Sequence, residues 1–361
     1  MFKISLPEPL RVAFSVTLIL VAIAIFTLYF IAIPIEGTNL ALDWQGLWLG
    51  IEGATPRYGN ETGLRIPPWS LVTVLPLGLT SLRVSWALVS FATIAALVLS
   101  VPKPVDDSRK ARISYYVIVL ILILSYPSLR VIADGNFEYL VIAGVLLLAY
   151  AYAEHKPGLL VLGALLATTK IQETWIMLLL LPLFLWFTWS LRDWLKGILT
   201  FALITIPSLY WKGAEWVNAV FAIEQRGGIV DSSLLAMLNR FGLPPTTRVV
   251  LWILVLACTV FVTWKCRRTL SRPLQGFLIA ASLLLTPYAA GNSYLTIYTI
   301  GVIPLLQFLF PAGLALAALT NAPYFLFLKN WELMFHWSAV YWGAMFLLTW
   351  IILGIFSLRR A

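Results

Sequence analysis

Leu18-Ile19-Leu20-Val21-Ala22-Ile23-Ala24-Ile25-Phe26-Thr27-Leu28-Tyr29-Phe30-Ile31-Ala32-Ile33 contains no charged residue. Its apolar side chains are almost continuous, whereas a barrel strand alternates apolar and polar positions over about 10 residues. A segment of this kind satisfies its backbone inside a bilayer only as a helix. With its flanks it runs from about Val12 to Ile33, above the roughly 20 residues that span a hydrocarbon core. It is too long for a signal-peptide core and lacks a small-residue cleavage site, so it reads as a retained helix.

Outward from this stretch the same texture recurs, as in Val141 to Ala151. The chain is 61% hydrophobic and 11% charged, with mean hydropathy +0.90, against about a quarter charged residues in a soluble domain. These values exclude a water-soluble fold and predict an all-α, polytopic membrane protein, one integral membrane domain over 1–361. About twelve crossings are expected, near 12–34, 84–101, 113–127, 136–153, 158–171, 174–190, 197–211, 248–264, 274–290, 294–311, 312–328 and 338–357. Two places stay open: 67–80 is short for a span, and 158–190 is either two crossings with a tight turn or one long helix.

The formal charge is +9, yet the basic residues gather at helix ends, so membrane lipid is the expected partner and nucleic acid is not. Lys103, Arg109, Lys110, Arg112, Lys156, Arg192, Lys196, Lys265, Arg267, Arg268, Arg272, Arg359 and Arg360 fall on one face. The positive-inside rule makes that face cytoplasmic. The opposite, extracytoplasmic face then receives two long loops, 35–66 and 212–247, where function is expected. The C-terminal helices, 312–361, carry Trp331, Trp337, Trp342 and Trp350, a pattern suited to anchoring at the interface.

Polar residues on the extracytoplasmic face form clusters. Asp43, between Leu42 and Trp44, is a carboxylate beside the membrane, suited either to general-base work or to capping a helix that begins at Trp44. Arg130, Asp134, Gly135, Asn136 and Glu138 sit at a helix mouth, where ionisable groups face a cavity or a partner. They either line a site or pair Arg130 with Asp134 or Glu138. Lys170, Gln172 and Glu173 follow an apolar run. Lys170 either takes an anion such as phosphate or pairs with Glu173. Glu224, Gln225, Arg226, Asp231, Asn239 and Arg240 read as mostly solvated. His155, His336, Cys258 and Cys266 lack partners for a metal site or a nucleophilic triad. Cations able to hold phosphate beside a carboxylate able to take a proton suit transfer from a lipid-phosphate donor to an alcohol.

The order of Asp43-Trp44, Gly53 to Tyr58, Pro67-Pro68-Trp69, Leu75-Pro76-Leu77, Pro127, Gly135-Asn136, Lys170-Ile171-Gln172 and Thr286-Pro287-Tyr288 resembles polyprenyl-phosphate-dependent glycosyltransferases of the GT-C fold. Within them it is most similar to family 87, the mannosyltransferase-like group, over roughly residues 10–310. The resemblance implies a polyprenyl-phosphate sugar donor, a lipid or glycan acceptor, an extracytoplasmic active site and inversion at the anomeric carbon. It implies Asp43 as general base, and Lys170 with Arg57, Arg65, Arg130 or Arg226 at the donor phosphate. Trp44, Tyr58, Asn136, Glu138, Gln172 and Tyr288 are then candidates for the acceptor or sugar. Where the family commonly reads Gly-Gln-x-Asn, this chain has Gly135-Asn136-Phe137-Glu138. No cofactor is expected, although a divalent cation shared by Asp43 and Glu138 is compatible with the sequence. The competing reading is a transporter or lipid-linked-sugar flippase, which calls for a midplane site and repeated halves. No internal repeat is visible.

Overall fold

The computed structural model describes residues 8–35, 38, 40–59, 62–104, 108–221, 231–326 and 331–360. Among them every regular element is helical, as the apolar runs require. The chain begins with α1 (Glu8–Ala32), α2 (Leu42–Leu49), α3 (Pro68–Val74) and α4 (Leu82–Ser100). Next come α5 (Arg109–Ile123), α6 (Tyr126–Asp134), α7 (Glu138–Ala153), α8 (Pro157–Ala167) and α9 (Ile171–Trp186). They are followed by α10 (Leu191–Phe221), α11 (Leu234–Arg240), α12 (Pro245–Lys265) and α13 (Arg272–Leu285). The series closes with α14 (Tyr294–Ile297), α15 (Ile303–Phe308), α16 (Phe310–Asn321), α17 (Pro323–Leu326) and α18 (Trp331–Leu358). Ser81, Ser108, Ser125 and Ser233 each accept the amide of the third residue of the helix they precede, giving a partner to a donor the helix cannot satisfy itself.

Among the described residues five runs are long and apolar enough to cross a bilayer: Leu82–Ser100, Pro157–Trp186, Leu191–Val220, Pro245–Lys265 and Trp337–Leu358. A sixth arises if α5 and α6, which meet at 51°, count as one. The count of twelve crossings is therefore not confirmed. Glu138–Ala153, Arg272–Leu285 and Phe310–Leu326 are apolar but shorter than the roughly 20 residues of a full span. The outward surface is nonetheless lipid-like, with Leu99 73% and Leu203 66% exposed.

Pro157–Trp186 meets the length test as one run, yet it folds back on itself. Lys170 has φ −123° and ψ 83°, outside the helical region. Thr174 Oγ1 donates to the Ala167 carbonyl at 2.9 Å, across seven residues that a straight helix would separate by about 10 Å. At the far end a Cβ on Gly197 would meet both Trp189, just past α9, and Val161, in the first turns of α8, so α9 returns to the level where α8 began. The tip of this hairpin is Thr168–Lys170, the tight turn that the sequence left open. Pro67–Thr80 resolves into α3 and a single 3₁₀ segment, Leu75–Leu79. The α7–α8 pair packs backbone to backbone: a Cβ on Gly144 would lie 2.5 Å from the Ala167 nitrogen, and one on Gly163 2.6 Å from the Leu148 nitrogen. Small residues permit such an approach where no hydrophobic force draws helices together.

The helices shuttle between two chemically different ends. At one end Arg272 donates to the Ser100 carbonyl, the Tyr152 hydroxyl reaches the Arg268 carbonyl at 3.5 Å, and the Arg267 guanidinium lies 5.3 Å from the Phe187 ring. These contacts join the ends of α4, α7 and α9 to the start of α13 in a basic rim. The other end carries Asp43, Asp134, Glu138 and Glu173. There the segment from α2 to Leu79 forms a cap with its own core, in which Trp44, Ile51, Leu64 and Leu71 are fully buried. Residues of this cap and the helix mouths beneath it build the site.

Candidate active site

The Ala41 amide donates to the Ala133 carbonyl at 2.6 Å, stapling the start of α2 to the end of α6. Trp44 then turns into the core, where its indole donates to Ser85 Oγ at 2.9 Å and its ring meets Phe137 edge to face, centroids 5.6 Å apart. With Trp44 inward, Asp43 faces outward and is exposed. Asn136 Nδ2 donates to Asp43 Oδ2 at 2.8 Å, and Asn136 Oδ1 accepts the Phe137 amide at 2.7 Å, which sets the orientation of the amide. The second oxygen of Asp43 has no partner among the described residues. Asp43 does not cap α2: that helix starts at Leu42 and has no side-chain cap.

Gly135 makes this arrangement possible. It ends α6 at φ 69°, a left-handed value natural to glycine. A Cβ there would lie 2.5 Å from Trp44 Cβ. The Gly135-Asn136 pair thus lets Trp44 pack under the turn while its second residue reaches Asp43.

At the mouth of α7 lies a mostly buried ionic group. Glu138 and Glu173 are fully buried. Lys170, at the hairpin tip, donates to Glu138 Oε1 and lies 3.5 Å from Glu173 Oε1. Thr296 donates to Glu173 Oε2 at 2.7 Å. An ammonium has three N–H donors. One is donated to Glu138, the Glu173 oxygen lies beyond hydrogen-bond reach of a second as an ion-pair neighbour, and the Lys170 side chain retains 13% exposure. The Lys170–Glu173 pair of the sequence reading is present, but Glu138 is the nearer partner.

The other expected residues divide. Arg130 Nε contacts Asp134 Oδ2 at 2.7 Å, the bridge that competed with a site role. Arg57 is exposed and Arg65 half-buried. The Tyr58 hydroxyl donates to the Ile66 carbonyl at 2.8 Å, and burial pushes its phenol well above the usual range, keeping it a donor. Gln172 is half-buried just past the hairpin tip. Tyr288 is 38% exposed. Its phenol is pushed up by burial, against an opposing effect from Lys170, and it also feels Asp231, Asp43 and Arg65. Asp43 likewise acts on Asp134, Glu138 and Lys170. Residues from separate stretches of sequence converge on one end of the helices, Asn136 on Asp43, Lys170 on Glu138 and Thr296 on Glu173. Arg226 lies outside the described residues.

Three expectations change. Trp44, expected to line an acceptor or sugar subsite, is fully buried and supports Asp43 from beneath, because α2 turns its indole toward α4. Asp231, expected to be solvated, is 4% exposed with two backbone amides on its Oδ1, and the loop expected from 212 is helical through Phe221. Sequence reasoning missed Thr296, Ser85 and the edge-to-face pair Trp69 and Trp216, centroids 5.4 Å apart. The Trp69 indole donates to Thr168 Oγ1 at 2.8 Å and the Trp216 indole to the Arg65 carbonyl at 3.0 Å. Isolated hydroxyls and tryptophans in apolar helices carry no sequence signal of such contacts. Among the described residues no group of three His, Cys, Asp or Glu side chains is arranged to hold a metal ion.

Comparison with known proteins gives one result. The family model described as Glycosyltransferase family 87 matches residues 67–287, more than half of the chain. The match includes Asn136, Glu138, Lys170 and Gln172, and stops short of Asp43, Tyr58 and Tyr288. No curated protein and no solved structure matches the chain.

Proposed function

Because the chain belongs to glycosyltransferase family 87, a family of membrane glycosyltransferases, we propose that it transfers a hexose, mannose in the first instance, from a polyprenyl-phosphate donor to a lipid or glycan acceptor. The reaction is placed on the extracytoplasmic face, in a GT-C type architecture in the cell membrane. The basic rim at the far end supports that orientation, since basic loops stay cytoplasmic.

Asp43 is the general base. The observation that carries this reading is the Asn136–Asp43 hydrogen bond at 2.8 Å, which orients an exposed carboxylate and leaves its second oxygen able to accept a proton. The acceptor hydroxyl attacks the anomeric carbon from the face opposite the phosphate and gives its proton to Asp43. The anomeric C–O bond breaks with its electron pair moving to the phosphate oxygen, so configuration inverts. Lys170 offers a remaining N–H to the leaving phosphate, and Arg57 and Arg65 supply further positive charge. Asn136, Gln172, Tyr58 and Tyr288 border the sugar and the acceptor. A positioned general base is worth about 10²–10⁴ in rate.

The test is transfer of labelled sugar by purified protein from a panel of polyprenyl-phosphate hexoses into membrane lipid and glycan extracts, with the product's anomeric configuration determined. One donor giving an inverted product is the expected result. Retention of configuration contradicts direct displacement, and no transfer from any donor returns the chain to the transport reading.

A further inference from the structure

Tyr288 stands on the turn between α13 and α14, and that turn has little regular structure of its own. It is fixed from outside by Asp231-Ser232-Ser233, the stretch leading into α11. The Ala289 amide donates to Asp231 Oδ1 at 3.1 Å, and the Ser232 amide donates back to the Ala289 carbonyl at 2.7 Å. This reciprocal pair joins two segments far apart in sequence. Asp231 is itself held: its Oδ1 also accepts the Ser233 amide at 2.9 Å, its Oδ2 accepts the Ser233 hydroxyl at 3.2 Å, and its carbonyl accepts Arg240 Nη1 at 2.6 Å. Asp231, Ser232, Ser233 and Ala289 are all nearly or fully buried. From behind, α18 closes on the strap so tightly that a Cβ on Gly343 would lie 2.9 Å from the Ser232 carbonyl oxygen. Tyr288, beside Ala289, is 38% exposed, and with Pro287 it forms the open part of this turn.

We infer that Asp231 is a positioning residue: it holds the 286–290 turn that carries Tyr288, and it acts on substrate binding only through Tyr288. The inference rests on the transferase reading for its kinetic part and on the hydrogen bonds alone for its structural part. A buried carboxylate accepting two backbone amides is a rigid connector, because removing it leaves both donors without a partner in a buried place. The second loop thereby governs the placement of Tyr288 without its Asp231-Ser232-Ser233 stretch touching substrate.

The experiment is a double-mutant cycle, which isolates coupling between two side chains, on the full-length protein: wild type, Asp231→Ala, Tyr288→Ala and the double variant. It is read by KM and kcat for donor transfer and by amide hydrogen exchange across 286–290. Asp231→Ala is expected to raise KM roughly tenfold, the worth of one well-made contact, with kcat within about twofold. In the Tyr288→Ala background the same change is expected to add nothing. Asp231→Asn, whose amide oxygen can still accept both backbone amides, is expected to retain most of the wild-type KM and serves as the folding control. Exchange at 286–290 should be faster in Asp231→Ala than in wild type or Asp231→Asn. Additive KM effects overturn the action through Tyr288, and unchanged exchange overturns the anchoring. If wild type transfers nothing, the transferase reading falls, while the exchange comparison still decides the anchor.

Discussion

Two carboxylates, Asp43 on the cap and Glu138 at the mouth of α7, belong to the same end of the molecule and have opposite surroundings. Asp43 is exposed, held by one hydrogen bond from Asn136. Glu138 is fully buried against Lys170, with Glu173 beside the same ammonium. The link between them is short: Asn136 holds the first and lies two residues before the second. The difference shows how one turn serves two purposes. Buried charges are costly unless paired, so the Glu138–Lys170–Glu173 group ties α7 to the tip of the α8–α9 hairpin. An open, oriented carboxylate instead keeps an oxygen for chemistry.

The sharpest way to break this contrast is to remove the cation of the buried group. Lys170→Met leaves Glu138 and Glu173 buried without it, and breaking such a pair costs roughly 3–5 kcal/mol. A marked fall in the unfolding midpoint in detergent is expected, and Glu138→Gln added to Lys170→Met should recover part of it, since neutral partners carry no such penalty. A midpoint unchanged in Lys170→Met would show that the group contributes nothing to the fold. Gly135→Ala probes the junction between the two regions. It imposes a Cβ at φ 69° and 2.5 Å from Trp44 Cβ, strain of about 1–3 kcal/mol. A smaller loss of stability than in Lys170→Met is expected, together with lost transfer because Asp43 is displaced from Asn136. Full activity in Gly135→Ala would separate Asp43 from the turn that holds it.

The all-helical fold was legible in the sequence because uninterrupted apolar runs admit no other bilayer-compatible structure. The polar clusters were legible for a similar reason: Asp43, Asn136, Glu138 and Lys170 are conspicuous where charge is expensive. Their pairing was not. Whether Lys170 meets Glu173 alone or also Glu138 depends on the hairpin at Lys170, and the sequence there has no glycine or proline to mark a turn. Asp231 misled because it sits among polar neighbours in a loop, a pattern equally typical of solvated surface. Its burial follows from tertiary contacts with the 286–290 turn. Trp44 misled because the resemblance offered it, beside Asp43, as a subsite residue, whereas the direction of α2 decides which way its ring points.

The most direct test of the account is the rate of sugar transfer by Asp43→Asn beside wild type, with the unfolding midpoint measured on the same preparations. The substitution keeps an oxygen for the Asn136 hydrogen bond and removes the proton acceptor. The account predicts a rate lower by about 10²–10⁴, the worth of a positioned general base, with the midpoint unchanged. Transfer near the wild-type rate in a folded Asp43→Asn protein would contradict it.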